Sequence, residues 1–442
     1  MDTLSSLQLL AQIDLSDALN EIGGARAVTG VTMIIHIFFA ELFVGFAIAA
    51  PVLEAWGAKT GSPRMDRLAH SLTRFNVLTF STGATFAVLF LVLLVGLYPQ
   101  VTASLFTHFF YVIVLAMLSM GLTLWGMYTY YYKWDRYAVM HKGRHIAFGF
   151  AMGFFIWIWM VIMSGIDTFM VTGGGGAASI TEGSVANFWV SIQGLFNPMF
   201  TEMVLHRTFA NLSWPAFALA AWAAFMYIRS RTDAQRSFYD WASSVGLTWG
   251  VGFLLVQPII GFAMVYAMKT SAPENPVAGA EGGAYARLTS GESSGLLYTN
   301  LLLVVVLFVG GVAAMYFGAE RHPDRSGQIP IRFFALVAAV AGIYSISPIA
   351  DFPFLYMRYI MLLIMVIATL GAFITYMRGR LRFKYGSPSF SYRALLMGLG
   401  ILAAVVALNM GYMKSNSRVP FSVYNEPDFT VEPSPPPESF GQ

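Results

Sequence analysis

The chain contains no cysteine. That excludes disulfides, iron–sulfur clusters held by thiolates and covalently attached c-type haem. Charge is scarce too: 11% of the 442 residues are Asp, Glu, Lys or Arg, against about 25% in soluble domains. A chain so poor in charge is not built for a polyanion, and no nucleic-acid partner is expected. Residues 1–25 lack a basic stretch followed by an apolar one, so no cleavable signal peptide is expected. No repeat recurs at a fixed period.

What is present is apolar. Hydrophobic residues make up 57% of the chain, and they collect in runs long enough to cross a bilayer. The runs fall at about 27–55, 72–98, 103–130, 146–172, 203–229, 241–268, 296–318, 332–349, 354–377 and 394–413. The fold class implied is all-α, a polytopic transmembrane helix bundle of about ten spans. The run at 332–349 is the shortest, so eight or nine spans are the alternatives. Residues 1–26 read as an interfacial segment, with helical apolar spacing over Leu7–Ile22 suited to the membrane surface. Residues 27–413 read as one transmembrane domain, and 414–442 as an external Pro-rich tail carrying Pro433 and Pro435–Pro437.

Basic residues set the orientation. The segments after spans one, three, five, seven and nine hold eighteen of the 26 Lys and Arg residues, and the opposite side holds five. Both termini should therefore lie outside, with the five basic loops in the cytoplasm of a bacterial inner membrane. Three basic residues, Arg74, Arg207 and Arg358, fall inside spans.

Five of the seven histidines lie in or at the ends of apolar runs: His36, His70, His108, His145 and His206. An ionisable side chain at that depth is costly unless paired or ligating, and imidazole between membrane helices suits the axial position of a haem. His36, His108 and His206 form an outer layer with Met357 and Met361; His36 lies about 13 Å along its helix. His70 and His145 form an inner layer. A plainer reading competes: His70 and His145 as interfacial residues beside lipid headgroups, and His108 as an interface anchor next to Phe109 and Phe110. His141 and His322 fall in basic loops and read as solvated. Most of the 24 methionines read as core filler.

Three stretches carry a family resemblance. Asn197 and Pro198 precede His206 by a short interval, in a segment running from Gly194 to Asn211. Span one carries His36, Glu41 and Glu54, and residues 354–361 include Met357, Arg358 and Met361. These resemble subunit I of the cytochrome bd quinol oxidases, in the stretches that hold its haem-ligating histidines and methionine. Arg418, Pro420 and Phe421 echo that family's Gly-Arg-Gln-Pro-Trp signature imperfectly. The resemblance spans roughly residues 27–268 and 350–421, and leaves the helix pair at about 296–349 as an addition.

The resemblance implies non-covalent haem b, two or three per chain. His206 with Met361 would hold one, Met357 being the reserve and Arg358 a neighbour. His36 with His108 would hold a second as a bis-histidine centre, and His70 with His145 a third at the inner face. The departures bear on activity. The family's third helix carries two glutamates, whereas span 103–130 has no acidic residue, and Ser415 stands where the family has a further glutamate. Without those carboxylates, delivering protons to an oxygen site is hard to account for. The reading is therefore a b-type haem electron-transfer subunit of a respiratory complex, an oxidoreductase subunit with no catalytic residue singled out. It would pass electrons between quinone and a periplasmic or membrane partner such as a multihaem c-type cytochrome. The alternatives are a terminal quinol oxidase subunit and a non-haem scaffold or transporter. Gln257, Glu274 and Glu281 are candidates for a quinone site, although the two glutamates also suit a solvated loop.

Overall fold

A chain in lipid must satisfy its backbone N–H and C=O groups internally, which leaves helices or a closed barrel. The computed structural model describes residues 24–172, 185–271, 283–291 and 293–417, and among them regular structure is helical, with no strand. The surface helix expected at 7–22 and residues 418–442 of the expected tail lie outside the described residues.

The helices are α1 (Gly24–Thr60), α2 (Pro63–Leu97), α3 (Pro99–His108), α4 (Phe110–Tyr132), α5 (Trp134–Met140), α6 (Lys142–Thr172), α7 (Phe188–Leu195) and α8 (Phe200–Arg229). They continue with α9 (Asp233–Leu254), α10 (Gln257–Ser271), α11 (Gly283–Thr289), α12 (Ser294–Gly318), α13 (Arg325–Ser345), α14 (Met357–Gly379) and α15 (Phe390–Ser417). Among the described residues ten segments are long and apolar enough to cross a membrane, α9 and α10 counting together, so the protein is a multi-pass membrane protein with all ten expected spans.

Local chemistry explains several boundaries. Gly61 takes a positive φ of 64°, and Pro63 then opens α2, where its missing N–H costs nothing. Thr232 caps α9 by accepting from the Gln235 N–H. The third expected span is two helices rather than one. Its outer part, α3, stops at His108, and the chain turns at Phe109 before α4 begins. The sixth breaks ahead of Gln257 and Pro258, because proline cannot continue the ladder. The tail starts later than expected: α15 carries the chain to Ser417.

α8 is the hub, packing against α1, α6, α9, α10 and α15. Helices in lipid associate by close packing of small residues rather than by water exclusion. Gly246 of α9 meets α8 so closely that a Cβ there would lie 2.7 Å from the Ala216 carbonyl oxygen. Outward faces are apolar, as lipid requires: α2 turns out Leu78, Val88, Val92 and Val95, and α13 turns out Phe333, Leu336 and Val340.

Contacts between distant segments define two ends. Arg64 donates to Ser237, Tyr227 to the Gly386 carbonyl, and the Lys384 N–H to the Arg321 carbonyl. Lys142 pairs with Glu54 and Asp66. These bonds gather the five basic connections at one end, so the charge asymmetry read along the chain is an asymmetry in space. At the other end Arg26 donates to Asn416, Arg287 to the Asn416 carbonyl, and the Ala186 N–H to the Thr107 carbonyl.

Candidate functional site

The outer half holds a set of polar groups among apolar helices. His36 sits on α1 with its Nδ1 3.0 Å from the Gly83 carbonyl of α2. A carbonyl only accepts, so Nδ1 carries the proton and Nε2 keeps its lone pair. That is the tautomer and the anchoring found for metal-bound histidines. His206 lies on α8 and is buried. The next residue, Arg207, acts electrostatically on His36, His206 and Glu41. Arg207 pairs with Asp167 at 3.7 Å, and Asp167 also meets Lys414 from the end of α15. Arg207 thus relates α1, α6, α8 and α15 at one level of the bundle.

Two local devices place His206. The Asn197 side-chain amide donates to the carbonyls of Gly165, Gly194 and Leu195, at 2.9, 3.3 and 3.2 Å. Its Oδ1 accepts from the Met199 N–H. Asn197 therefore locks the turn from α7 into α8. From the other side Gln257, first residue of α10, donates to the His206 carbonyl at 3.2 Å.

This half of the bundle leaves buried polar atoms without a partner. They include Nδ1 of His206, Oε2 of Glu202, Oε1 of Gln257 and both ring nitrogens of His108. Orphaned atoms of this kind are rare in folded proteins, and each calls for an explanation. Among the described residues no three His, Cys, Asp or Glu side chains cluster to hold a metal ion. A haem needs no such cluster, since one or two axial side chains suffice. The donor sets of His36 and His206 fit that requirement.

The other expected ligands are placed less simply. Met361 lies on α14, half-buried against the main core, and Met357 opens the same helix. Arg358 is exposed and pairs with Asp351 at 3.2 Å, so its guanidinium is committed at the surface. His108 is fully buried, but its ring is enclosed by Phe109 and Phe169, with centroids 4.8 and 5.0 Å away. A Cβ on Gly194 would lie 2.8 Å from its Nε2. His108 thus belongs to a small core between α4, α6 and α7, while His36 packs on α2. The structure does not present them as two open imidazoles facing each other.

The expected inner pair needs correction on similar grounds. His145 Nδ1 bonds the Glu54 carboxylate at 2.8 Å, and its Nε2 bonds the Tyr130 carbonyl at 2.9 Å. Both nitrogens are taken by protein, leaving none for iron. His70 stacks on Trp134 at 4.5 Å, and the same indole meets His145 edge-on at 4.8 Å. Trp134 is thus in contact with both imidazole rings. His322, expected to be solvated, is buried and bonds the Asp324 N–H through Nδ1. His141 is exposed, as expected. Glu274 and Glu281, the proposed quinone-site carboxylates, lie outside the described residues.

Two buried networks at the inner end escaped the sequence reading. Glu54 meets Tyr130, His145 and Lys142. Asp240 pairs with Arg321 at 2.6 Å and also accepts the Gly386 N–H, while Arg321 donates to Tyr376 and covers the Tyr392 ring at 3.9 Å. In the connection beside it, burial pushes the Tyr385 phenol up. Nothing in the local sequence of Arg321 marks it as buried. On the outer side Asp167 carries a signal of its own, since an acid inside an apolar run is costly unless paired.

No family model matches the chain, and no curated protein matches it by sequence. Among solved structures it is similar to the bd oxidase of Geobacillus thermodenitrificans, at 15% identity and a TM-score of 0.51, over 88% of this chain and 96% of that one. The chain has a bd-oxidase-like helical membrane fold.

Proposed function

We propose that this protein is a haem-bearing membrane subunit of a respiratory complex. In this reading it carries electrons between the quinone pool and a redox partner on the outer side, such as a multihaem c-type cytochrome, in a bacterial inner membrane. The observation that carries the reading is the pair of outer histidines. His36 has its Nδ1 tied to a backbone carbonyl, and His206 has a buried nitrogen without a partner. The bd-like fold adds support.

His36 and His206 would each hold a haem b, with Met361 as the second ligand implied for His206. A bound haem supplies reversible one-electron chemistry. The chain's own residues hold and tune it: Gly83 fixes the His36 tautomer, Asn197 and Gln257 fix the position of His206, and Arg207 places positive charge beside both. Such a charge favours the reduced, more negative form of a neighbouring centre. His108, His70 and His145 are left out of this set because of their packing. Gln257, beside His206, remains the candidate contact for quinol.

Terminal oxidation of quinol by oxygen is the second reading, favoured by the fold similarity and by Glu41, a partly buried carboxylate five residues beyond His36. Against it, α4 buries Ser119 and Thr123 but contains no carboxylate. Pyridine haemochrome and low-temperature optical spectra of the purified protein distinguish the readings. Low-spin b signals with no carbon monoxide binding are expected. A carbon-monoxide-reactive centre with quinol-driven oxygen uptake establishes the oxidase, and the lack of any Soret band refutes both.

A further inference from the structure

The Glu54–His145 pair lies at the opposite end of the bundle from the candidate haem ligands, and its geometry constrains where protons sit. His145 Nε2 faces the Tyr130 carbonyl at 2.9 Å, and a carbonyl can only accept. Nε2 therefore carries a proton. Nδ1 then faces both Glu54 oxygens, at 2.8 and 2.9 Å. A neutral imidazole would set its Nδ1 lone pair against an ionised carboxylate, two acceptors in contact with no hydrogen between them. The contact requires one further proton, shared as imidazolium and carboxylate or as imidazole and carboxylic acid.

Glu54 and His145 are fully buried, yet they are not sealed off. The Tyr130 hydroxyl donates to Glu54 at 2.7 Å. The Lys142 ammonium lies 3.0 Å from Glu54 and 3.0 Å from Asp66, and Lys142 and Asp66 are 25% and 38% exposed. One cation thus bridges a buried carboxylate and one in contact with the cytoplasmic side. His70 lies near His145, and Arg74 and Asp135 lie near His70.

We infer that Glu54 and His145 form a proton-exchange site, loaded from the cytoplasmic face through Lys142 and Asp66. In the loading step an N–H bond of the Lys142 ammonium breaks as an O–H bond forms on Glu54. The resulting amine recovers its proton from a hydronium ion of the solvent or from a protonated Asp66, so charge and protons balance. Glu54 and His145 then share the proton between oxygen and Nδ1. The site does not depend on the haem reading.

The test is infrared spectroscopy of the full chain in detergent or liposomes, with glutamate carbon-13 labelling and the Glu54 band assigned by its loss in Glu54→Gln. Two results are expected. The band changes form as the pH is moved across about 5 to 8. On transfer to deuterium oxide it shifts quickly, and Lys142→Gln slows that shift several-fold while backbone amide exchange stays as in the unaltered protein. A band that is constant with pH, or exchange that Lys142→Gln leaves unchanged, makes the pair a fixed structural link and overturns the proposal. Should Glu54→Gln fail to fold, nitrogen-15 resonances of His145 in the unaltered protein and in Lys142→Gln report the same two behaviours.

Discussion

The buried histidines at the two ends of the bundle are treated in opposite ways. At the cytoplasmic end Glu54, His145, Asp240 and Arg321 each have several partners within hydrogen-bond distance. In the outer half His206, Glu202, Gln257 and His108 retain atoms with none. Polar groups bound to one another hold helices together, whereas polar groups left over are suited to hold something else. The difference separates histidines that look equivalent along the chain: His145 is a structural or proton-carrying residue, while His36 and His206 keep donor capacity.

The contrast is sharpest under substitution. The largest expected effect is His206→Ala, which should remove one whole low-spin b haem per chain by pyridine haemochrome while the protein still folds. His36→Ala should remove a second. Unaltered haem content in both variants would break the comparison at its outer end. Next comes Arg321→Leu, which leaves Asp240 as an unpaired charge in a buried site and should cost about 3–5 kcal/mol. Thermal unfolding in detergent reads that loss, with haem per folded chain unchanged.

His145→Ala is the direct counterpart of His206→Ala. It should cost about 1–3 kcal/mol by removing one hydrogen-bond partner each from the Glu54 carboxylate and the Tyr130 carbonyl, and leave haem content as it was. Loss of a haem on His145→Ala would restore the expected inner pair. The smallest effect belongs to Gln257→Ala. Removing its bond to the His206 carbonyl should cost about 1 kcal/mol and shift the midpoint potential of the His206-dependent signal without abolishing it.

Much of the fold was legible along the chain. A membrane span is a local property, since length and hydropathy of one segment suffice, and all ten spans were read correctly, including the short one now seen as α13. Sidedness was legible because the positive charges collect between alternate spans. The break at Phe109 was not legible, because 103–130 is continuously apolar across it. His322 reads as a solvated loop residue, yet it and the neighbouring Arg321 are both buried. Their burial depends on Asp240 and Tyr376, which approach from other helices, and on Phe383 of the connection after α14.

The sequence by itself determined an all-helical, ten-span protein with its basic loops on one side and histidines at two depths. Each of those properties depends on a single segment and on the solvent it meets. Only the tertiary structure decided which histidine nitrogens are taken. The partners that take them come from far along the chain, as Glu54 does for His145 at a separation of 91 residues and Gly83 for His36 at 47. Hydrogen bonds act over about 3 Å, so whether an imidazole is satisfied or left to bind a ligand is settled only when helices are packed side by side.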